Sequence, residues 1–362
     1  MKKRLMLIMM ISLLLNGCVH REILDDLNIE TAKGYDLIDK DIIEGTALFP
    51  RYLSDKSTEN VTLSAKASST RGVLGKLERR SQQPLVRGSL EVVLIGEKFA
   101  QRGVIDIADA LQRDASIGSR VYLTIVKGNA KELLNGQYGR RGNAIFISNL
   151  LNHNIKFRDV PETNLHMFLF AHFQQGQTSF LPMIRQIDDE NVEIAGIALF
   201  NEERVVAEIP DEQMFFFKLL VDKYSEGSHI VRLKNEKQSE DDIEVSITSL
   251  RSKHDIEVIS YDFPAKVDIN INVKGIIREY TGEKLTPQKV DEAQKKMEVD
   301  IEKKCNEMIK MFQEKKIDPI GIGQRQKHGV RGFDFKKWYA QYPEADIKVH
   351  AEVQIVESGT VE

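Results

Sequence analysis

The chain contains one long apolar run, and this run decides in which compartment the remainder folds. Leu5 to Leu15 is apolar except for Ser12, and positions 2–4 before it are all basic. Eleven residues in a helix extend about 16 Å, whereas the hydrocarbon core of a bilayer is ~30 Å thick. The run is therefore predicted to be the core of an export signal and not a membrane span. The rest of the chain is expected to fold as a soluble protein.

The apolar run ends in Leu15-Asn16-Gly17-Cys18, which matches the bacterial lipobox. In that chemistry the thiol receives diacylglycerol, a peptidase cleaves before the cysteine, and the new amino group is acylated. Residues 1–17 are thus predicted to be a signal peptide, and Cys18 is predicted to carry S-diacylglycerol and N-acyl groups. Two acyl chains hold a protein stably on the outer face of a membrane. An uncleaved anchor, or a plain secretory signal with a chance cysteine, is the alternative.

The charge balance of the mature chain argues against a nucleic-acid partner. Without the first 17 residues, 48 basic and 55 acidic residues remain, a formal net charge of −7. Nucleic-acid binding requires a concentrated basic face. The composition also predicts no polybasic patch for anionic lipid. Lipidation of Cys18 would leave Cys305 without a disulfide partner, and its place in a helical pattern predicts a small buried side chain.

Strands and helices alternate irregularly, which predicts an α+β fold with mixed β-sheets and packed helices. An N-terminal α/β domain is expected over 18–190, divided or not into two subdomains, and a C-terminal α/β domain over 191–362. Thr286 as N-cap and Pro287 at the first helical position predict one long helix over 286–316 in the C-terminal domain. The predicted strands and shorter helices occupy 61–67, 90–96, 97–114, 121–128, 191–209, 211–224, 243–252, 267–273 and 347–355.

A search for catalytic and binding motifs nominates no enzyme and no residue for binding a cofactor or a metal. His166 and His172 are six residues apart, so a helix would place them on different faces. The segment 321–329 lacks the third glycine of a phosphate-binding loop and follows a helix. Acidic stretches at 188–190 and 240–242 are interpreted as solvated loops, and Trp338 as a core residue. Phe215–Phe217 cannot all face one core from a helix, so either one is exposed for a partner or the helix packs between domains.

Several segments together resemble one family, the Ger(x)C spore germination lipoproteins, which are the C subunits of nutrient germinant receptors. The similar segments are 17–36, 90–114 and the hairpin at 196–209. In the C-terminal part they are the long Lys/Glu-rich helix, Asp318–Gly323, Trp338 and the last alternating strand. They occur in the family's order and cover essentially the whole mature chain. Val19 stands where the family usually has an aromatic residue.

The resemblance implies a fold of several mixed α/β domains without enzyme-like sites. It implies a location on the outer face of the spore inner membrane and assembly with two integral-membrane partners, an A and a B subunit. Cys18 is the one functional position that the resemblance transfers, and contact with the nutrient stays open. A solute-binding lipoprotein of a transporter and a surface-tethered hydrolase are the alternatives. The first would need two similar lobes, and the second a base with a nucleophile or metal in one pocket.

Overall fold

The structure, a computed structural model, describes residues 26–54, 58–234 and 242–358. Residues 1–17 and Cys18 lie outside these ranges, so the signal peptide and the lipid attachment stay predictions. Within the described ranges, no helix combines the length and the apolar character needed to cross a bilayer.

An eight-stranded mixed sheet organises the larger half of the molecule. The strands of this half are β1 (Asn28–Ile29), β2 (Ala32–Asp39), β3 (Ile42–Tyr52), β4 (Thr58–Ala67), β5 (Leu85–Val86), β6 (Val92–Gly96), β7 (Tyr122–Val126), β8 (Phe180–Gln186), β9 (Val192–Asn201) and β10 (Arg204–Ile209). The order in the large sheet is β10-β9-β8-β7-β6-β2-β3-β4, and β1 and β5 form a separate two-stranded pair. The middle strands β8, β7, β6 and β2 run parallel, and antiparallel strands flank them.

Helices cover both faces of this sheet, as parallel strands with apolar side chains on both faces require. They are α1 (Thr70–Arg80), α2 (Glu97–Arg102), α3 (Ile105–Gln112), α4 (Ala130–Asn135), α5 (Asn143–Phe157) and α6 (Leu165–Phe173). One core joins the sheet to α1, α2, α3 and α6, with Leu77, Phe99 and Phe168 fully buried. The core on the other face joins it to α4 and α5 through Leu133 and Leu151.

A four-stranded sheet and a long helix form the other half. The elements are α7 (Met214–Val221), β11 (Tyr224–Leu233), β12 (Ile243–Ser260), β13 (Lys266–Tyr280), α8 (Pro287–Lys315), α9 (Ile322–Gly329), α10 (Phe335–Gln341) and β14 (Asp346–Ser358). The strand order is β11-β12-β13-β14, and only β13 and β14 are parallel. Parallel neighbours need a crossover connection, and α8 lies within it.

Local sequence signals define α8. The Thr286 side chain accepts a hydrogen bond from the Lys289 amide at 3.3 Å, and Pro287 occupies the first turn. The helix ends at Lys316 in a left-handed conformation. Its buried residues recur at three- and four-residue steps and are Ala293, Met297, Ile301, Cys305, Met308, Ile309 and Phe312. The predicted fold class is confirmed, including the one long helix.

Side chains of α8 also cover the free edge of the smaller sheet. Gln294, Glu298 and Glu302, each four residues from the next, accept hydrogen bonds from backbone amides of β14. The donors are Ile355, Val353 and Ala351, at 3.3, 3.0 and 3.1 Å respectively. An edge strand presents unpaired amides to solvent. Here one face of a helix supplies the acceptors that a fifth strand would supply.

The aromatic helix α7 is buried on all sides. Phe215, Phe216 and Phe217 are each at most 4% exposed, so the predicted alternative with one exposed phenylalanine is wrong. The helix lies in a core shared by Ile197 and Leu199 of the large sheet and by the four-stranded sheet, which confirms the alternative of packing between the two halves. A helix that is apolar all round is buried all round.

One buried cation joins the two halves at their junction. Lys218 of α7 is 3% exposed, and its Nζ donates to the carbonyl oxygens of Ile155 and Arg158 at 2.7 and 2.6 Å. These carbonyls belong to the C-terminal end of α5, where the helix leaves acceptors without intrahelical partners. Burial lowers the pKa of Lys218, and the neighbouring carboxylates Asp222 and Asp159 act in the opposite direction.

The large sheet continues past the predicted domain boundary at 190/191. This boundary separates β8 from β9, which are antiparallel neighbours with Gln186 opposite Val192 and Phe180 opposite Leu199. The strands on both sides of residue 190 therefore belong to one sheet. We propose that the N-terminal unit ends after Ile209, where β10 completes that sheet.

Candidate functional site

The two histidines that the sequence analysis weighed as a metal pair, and set aside, lie on the same helix. His166 and His172 both lie on α6, and the Nδ1 atom of His172 is 3.2 Å from the carbonyl oxygen of Glu202. Across the described residues, no group of three or more His, Cys, Asp or Glu side chains is placed to hold a metal ion. The acidic stretch at 188–190 forms a turn in which Asp188 accepts hydrogen bonds from the amides of Glu190 and Asn191. Residues 240 and 241 lie outside the described ranges.

The glycine-containing segment 321–329 forms helix α9, and a carboxylate of the chain itself occupies its N-terminus. Asp318 accepts hydrogen bonds from the amides of Gly321 and Gly323, each at 2.8 Å. Burial raises the pKa of Asp318 to about 6, although these amides act in the opposite direction. An external phosphate would have to displace this internal ligand.

Two other residues singled out in the sequence are structural. Trp338 is buried and packs against Tyr342 and Phe333. Cys305 is fully buried on α8, and burial raises the pKa of its thiol. Because a thiolate is the reactive form, this cysteine is unsuited to redox or nucleophilic chemistry.

The outer face of α6 is an exposed apolar surface. Seven of the nine residues in its sequence, LHMFLFAHF, are apolar. Leu165, Phe168 and Leu169 are buried against the large sheet. Met167, Phe170 and Phe173 are 37, 51 and 64% exposed, and their three-residue spacing places them on one side of the helix. We call these three side chains the α6 surface.

A groove of about 340 Å³ lies beside the α6 surface. Met167 and Phe170 form one wall, and Phe180 and Val221 contribute apolar surface from β8 and α7. Asp222, at the end of α7, also lines the groove, and its Oδ2 accepts a hydrogen bond from the Glu162 amide at 3.1 Å. Burial raises the pKa of Asp222 to about 7, against the opposing effects of that amide and of Lys218.

This arrangement suits the binding of a partner. The groove is mostly apolar and carries carboxyl groups, a setting that accommodates an apolar side chain of another protein. Contiguous exposed apolar surface of this kind marks protein or membrane contact sites. Sequence reasoning considered only the two histidines of this helix and missed its apolar face. A short helix with polar side chains at only two of nine positions was the available signal.

Comparisons with known proteins assign most of the chain to one family. A domain family described as "Spore germination protein N-terminal domain" matches residues 20–186. A second, described as "Spore germination B3/ GerAC like, C-terminal", matches residues 195–359. The chain belongs to the GerAC family of spore germination proteins.

Individual relatives agree with this family over most of the chain. The spore germination protein GerQC of Bacillus cereus is 31% identical over 364 residues, which cover 99% of this chain and all of that protein. YfkR, a candidate spore germination protein of Bacillus subtilis (strain 168), is 22% identical over 82% of this chain and 79% of its own length. Both relatives are named for germination and not for an enzymatic reaction. The family of germinant receptor C subunits, predicted from the sequence, is confirmed.

The fold is also that of a solved family structure. The crystal structure of the GerBC protein superposes with a TM-score of 0.60, covering 91% of this chain and 98% of the GerBC chain. Sequence identity between the two is 14%, so this likeness concerns the fold alone.

Proposed function

We propose that this GerAC-family chain is a lipid-anchored accessory subunit of a spore nutrient germinant receptor. In this proposal Cys18 carries the lipid on the outer face of the spore inner membrane, and the folded part assembles with integral-membrane A and B subunits. Nutrient-triggered germination requires the assembly. The observation that carries the proposal is the match of both halves to germination families together with a lipobox at Cys18.

The lipid would restrict where the folded part can work. Asp26, the first described residue, follows Cys18 by eight residues, which span about 28 Å when fully extended. A tether of this length confines the fold to a thin layer next to the bilayer. Confinement raises its effective concentration toward membrane partners without any further contact.

The α6 surface is the proposed contact with the membrane subunits. Met167, Phe170 and Phe173 offer large apolar side chains beside an apolar groove, which is the composition of the central part of protein interfaces. Truncation of such central aromatic residues commonly weakens a complex by more than tenfold.

The lipid anchor is tested by Cys18→Ala at the native locus. We expect the variant protein to be lost from the inner-membrane fraction, with loss of the response to one class of nutrient. Germination is scored nutrient by nutrient while the protein level is followed. Normal germination to every nutrient, with the protein absent from the membrane, would argue against a required anchored subunit and would turn attention to a solute-binding role.

The docking surface is tested by Phe170→Ser with Phe173→Ser in the lipidated chain. We expect co-purification with the A and B subunits to fall by about tenfold or more, with membrane association unchanged. Ile259→Ser, at a similarly exposed apolar residue of β12, is the matched control. Undiminished co-purification of the double variant would remove α6 from the interface.

A further inference from the structure

A second and larger concavity, of about 790 Å³, lies where the described chain begins. Residues 27–29 form one wall, and the starts of the parallel strands β2 and β6 lie next to it through Thr31 and Glu91. We call it the entry cavity because the described part of the chain begins beside it. None of the motifs considered in the sequence falls in it.

Three arginines from separate elements line the entry cavity. Arg51 is the next-to-last residue of β3, and its Nη1 lies 3.1 Å from Oε2 of Glu59. Arg80 ends α1, and its Nη1 donates to the carbonyl oxygen of Ser64 at 2.6 Å. Arg141 precedes α5 and is exposed, with no hydrogen-bond or ion-pair partner in the described part of the chain. Each guanidinium has five N–H donors, so donors remain on all three.

The charge of the lining favours an anion. Glu91 is the one acidic side chain among the described residues that line the cavity, and it accepts a hydrogen bond from Ser148. The rest of the polar lining consists of amides and hydroxyls such as Asn28 and Ser81, which donate as well as accept. Arginine forks match phosphate geometry better than any other side chain.

The position of the cavity near the membrane favours a lipid headgroup as the source of that anion. With lipid on Cys18, Asp26 can lie at most about 28 Å from that cysteine, and the next residue, Leu27, lines the cavity. Tyr52, 75% exposed, lines the cavity, and the adjacent Leu53 is 43% exposed. An exposed tyrosine next to an exposed leucine is the composition of surfaces that lie at the membrane–water interface.

We propose that the entry cavity binds the phosphate-bearing headgroup of an anionic phospholipid in the membrane to which the chain is tethered. This inference rests on the proposed lipid anchor, which brings the cavity to the bilayer. The acyl chains on Cys18 already retain the protein, so the headgroup contact would orient the fold. Overall composition did not predict a basic site because it averages these three arginines over an acidic surface.

The test uses the full lipidated chain in nanodiscs of phosphatidylcholine, with or without phosphatidylglycerol. Hydrogen exchange of backbone amides is followed in segments 80–83 and 141–145. We expect phosphatidylglycerol to slow exchange in both segments. We expect Arg141→Gln to reduce the slowing of exchange by phosphatidylglycerol about fivefold, because the variant loses one basic contact with the anionic membrane. Arg141 has no described partner to disrupt, so this variant is expected to fold normally, and Arg80→Gln should act in the same direction.

Arg113→Gln is the matched control, because Arg113, the C-cap residue of α3, is 78% exposed and does not line the cavity. Equal exchange with both lipid mixtures, in a chain that stays in the nanodisc, would overturn the headgroup proposal and leave the anchor standing. A chain that fails to enter nanodiscs would instead overturn the anchor. Inorganic phosphate is added to pure phosphatidylcholine discs as a further arm. Protection by phosphate alone, and not by phosphatidylglycerol, would identify a site for a soluble anion and overturn the lipid source.

Discussion

Asp222 is a carboxyl group whose protonation is linked to folding. It lines the groove beside the α6 surface, and its pKa of about 7 in the folded chain contrasts with an ordinary value of 3.8. Between these two values the folded chain holds a proton that the unfolded chain has released. The free energy of unfolding therefore falls as the pH rises from about 4 to about 7. At higher pH the groove carries an additional negative charge.

Asp222→Asn should flatten this dependence. The amide oxygen can still accept the hydrogen bond from Glu162, and it carries no charge whose burial is unfavourable. We expect the free energy of unfolding of the variant, relative to that of the wild type, to increase from pH 4 to pH 8. Urea unfolding at each pH measures this difference. Asp188→Asn is the control, because hydrogen bonds lower the pKa of Asp188 below its ordinary value of 3.8. Its linkage to folding therefore acts mainly below about pH 4, and the stability difference for this variant should stay nearly constant from about pH 5 to pH 8. A constant difference across this range for Asp222→Asn would contradict the assignment.

At the scale of elements, α8 and β14 stabilise each other through a row of hydrogen bonds, in which side chains of α8 accept from backbone amides of β14. The carboxylates of Glu298 and Glu302 accept from Val353 and Ala351, so a helix face compensates for the absence of a neighbouring strand. The same device recurs on β4, the edge of the large sheet. There Lys76 and Arg80 of α1 donate to backbone carbonyls of Lys66 and Ser64.

Removing two of these side-chain acceptors should leave backbone amides at the edge of β14 without a partner. We expect Glu298→Ala with Glu302→Ala to lower the free energy of unfolding by about 1 kcal/mol per lost hydrogen bond. Self-association should increase, because uncapped edge strands pair with other chains. Urea unfolding and light scattering measure the two effects. Glu307→Ala, whose carboxylate contacts Lys304 on the helix surface, should change neither. An unchanged double variant would mean that solvent satisfies these amides equally well.

Elements defined by local signals were predictable from the sequence, and features that depend on tertiary neighbours were not. The N-cap, the proline and the apolar period all lie within α8 itself, so its limits were predicted to within one residue at each end. Strand β12 was predicted over 243–252 but continues to Ser260, because its pairing with β13 extends the strand beyond the clear apolar alternation. The burial of Phe215–Phe217 required a second layer over α7, which no local pattern specifies.

Among the candidate functional features, too, a local motif was predictable and features that depend on tertiary neighbours were not. The lipobox is a contiguous motif and was recognised directly. The entry cavity joins Arg51, Arg80 and Arg141, which are separated by up to 90 residues and meet only because their elements reach one end of the sheet. The α6 surface was not predicted from the sequence, for another reason. An apolar helix is ordinarily a buried helix, and only the fold reveals that one of its sides lacks a covering layer.

At the scale of the whole molecule, the large sheet combines strands from both sides of residue 190. Strands β9 and β10 follow residue 190 yet complete the sheet that begins at β2, and they share a core with α7. We therefore propose that the N-terminal unit extends past residue 190 to the end of β10.

Fragments can locate the boundary of the N-terminal unit. We expect a fragment of residues 19–210 to resist limited proteolysis and to unfold more cooperatively than a fragment of residues 19–190. The shorter fragment lacks β9 and β10 and leaves β8 as an unpaired, apolar edge. Circular dichroism during urea unfolding provides the comparison. Equal resistance and cooperativity of the two fragments would restore a boundary at residue 190.

The parallel pairing of β13 with β14 has a consequence for the timing of folding. These neighbours are separated along the chain by α8, α9 and α10, so the smaller sheet consists largely of contacts distant in sequence. Such contacts form late, because a long loop must close before they stabilise anything. Until β14 emerges from the ribosome or the export channel, β13 has an open side and the apolar face of α8 has no finished sheet to cover. Strand β14 therefore completes the smaller sheet last. A chain truncated before β14 would expose the surfaces that chaperones and proteases bind.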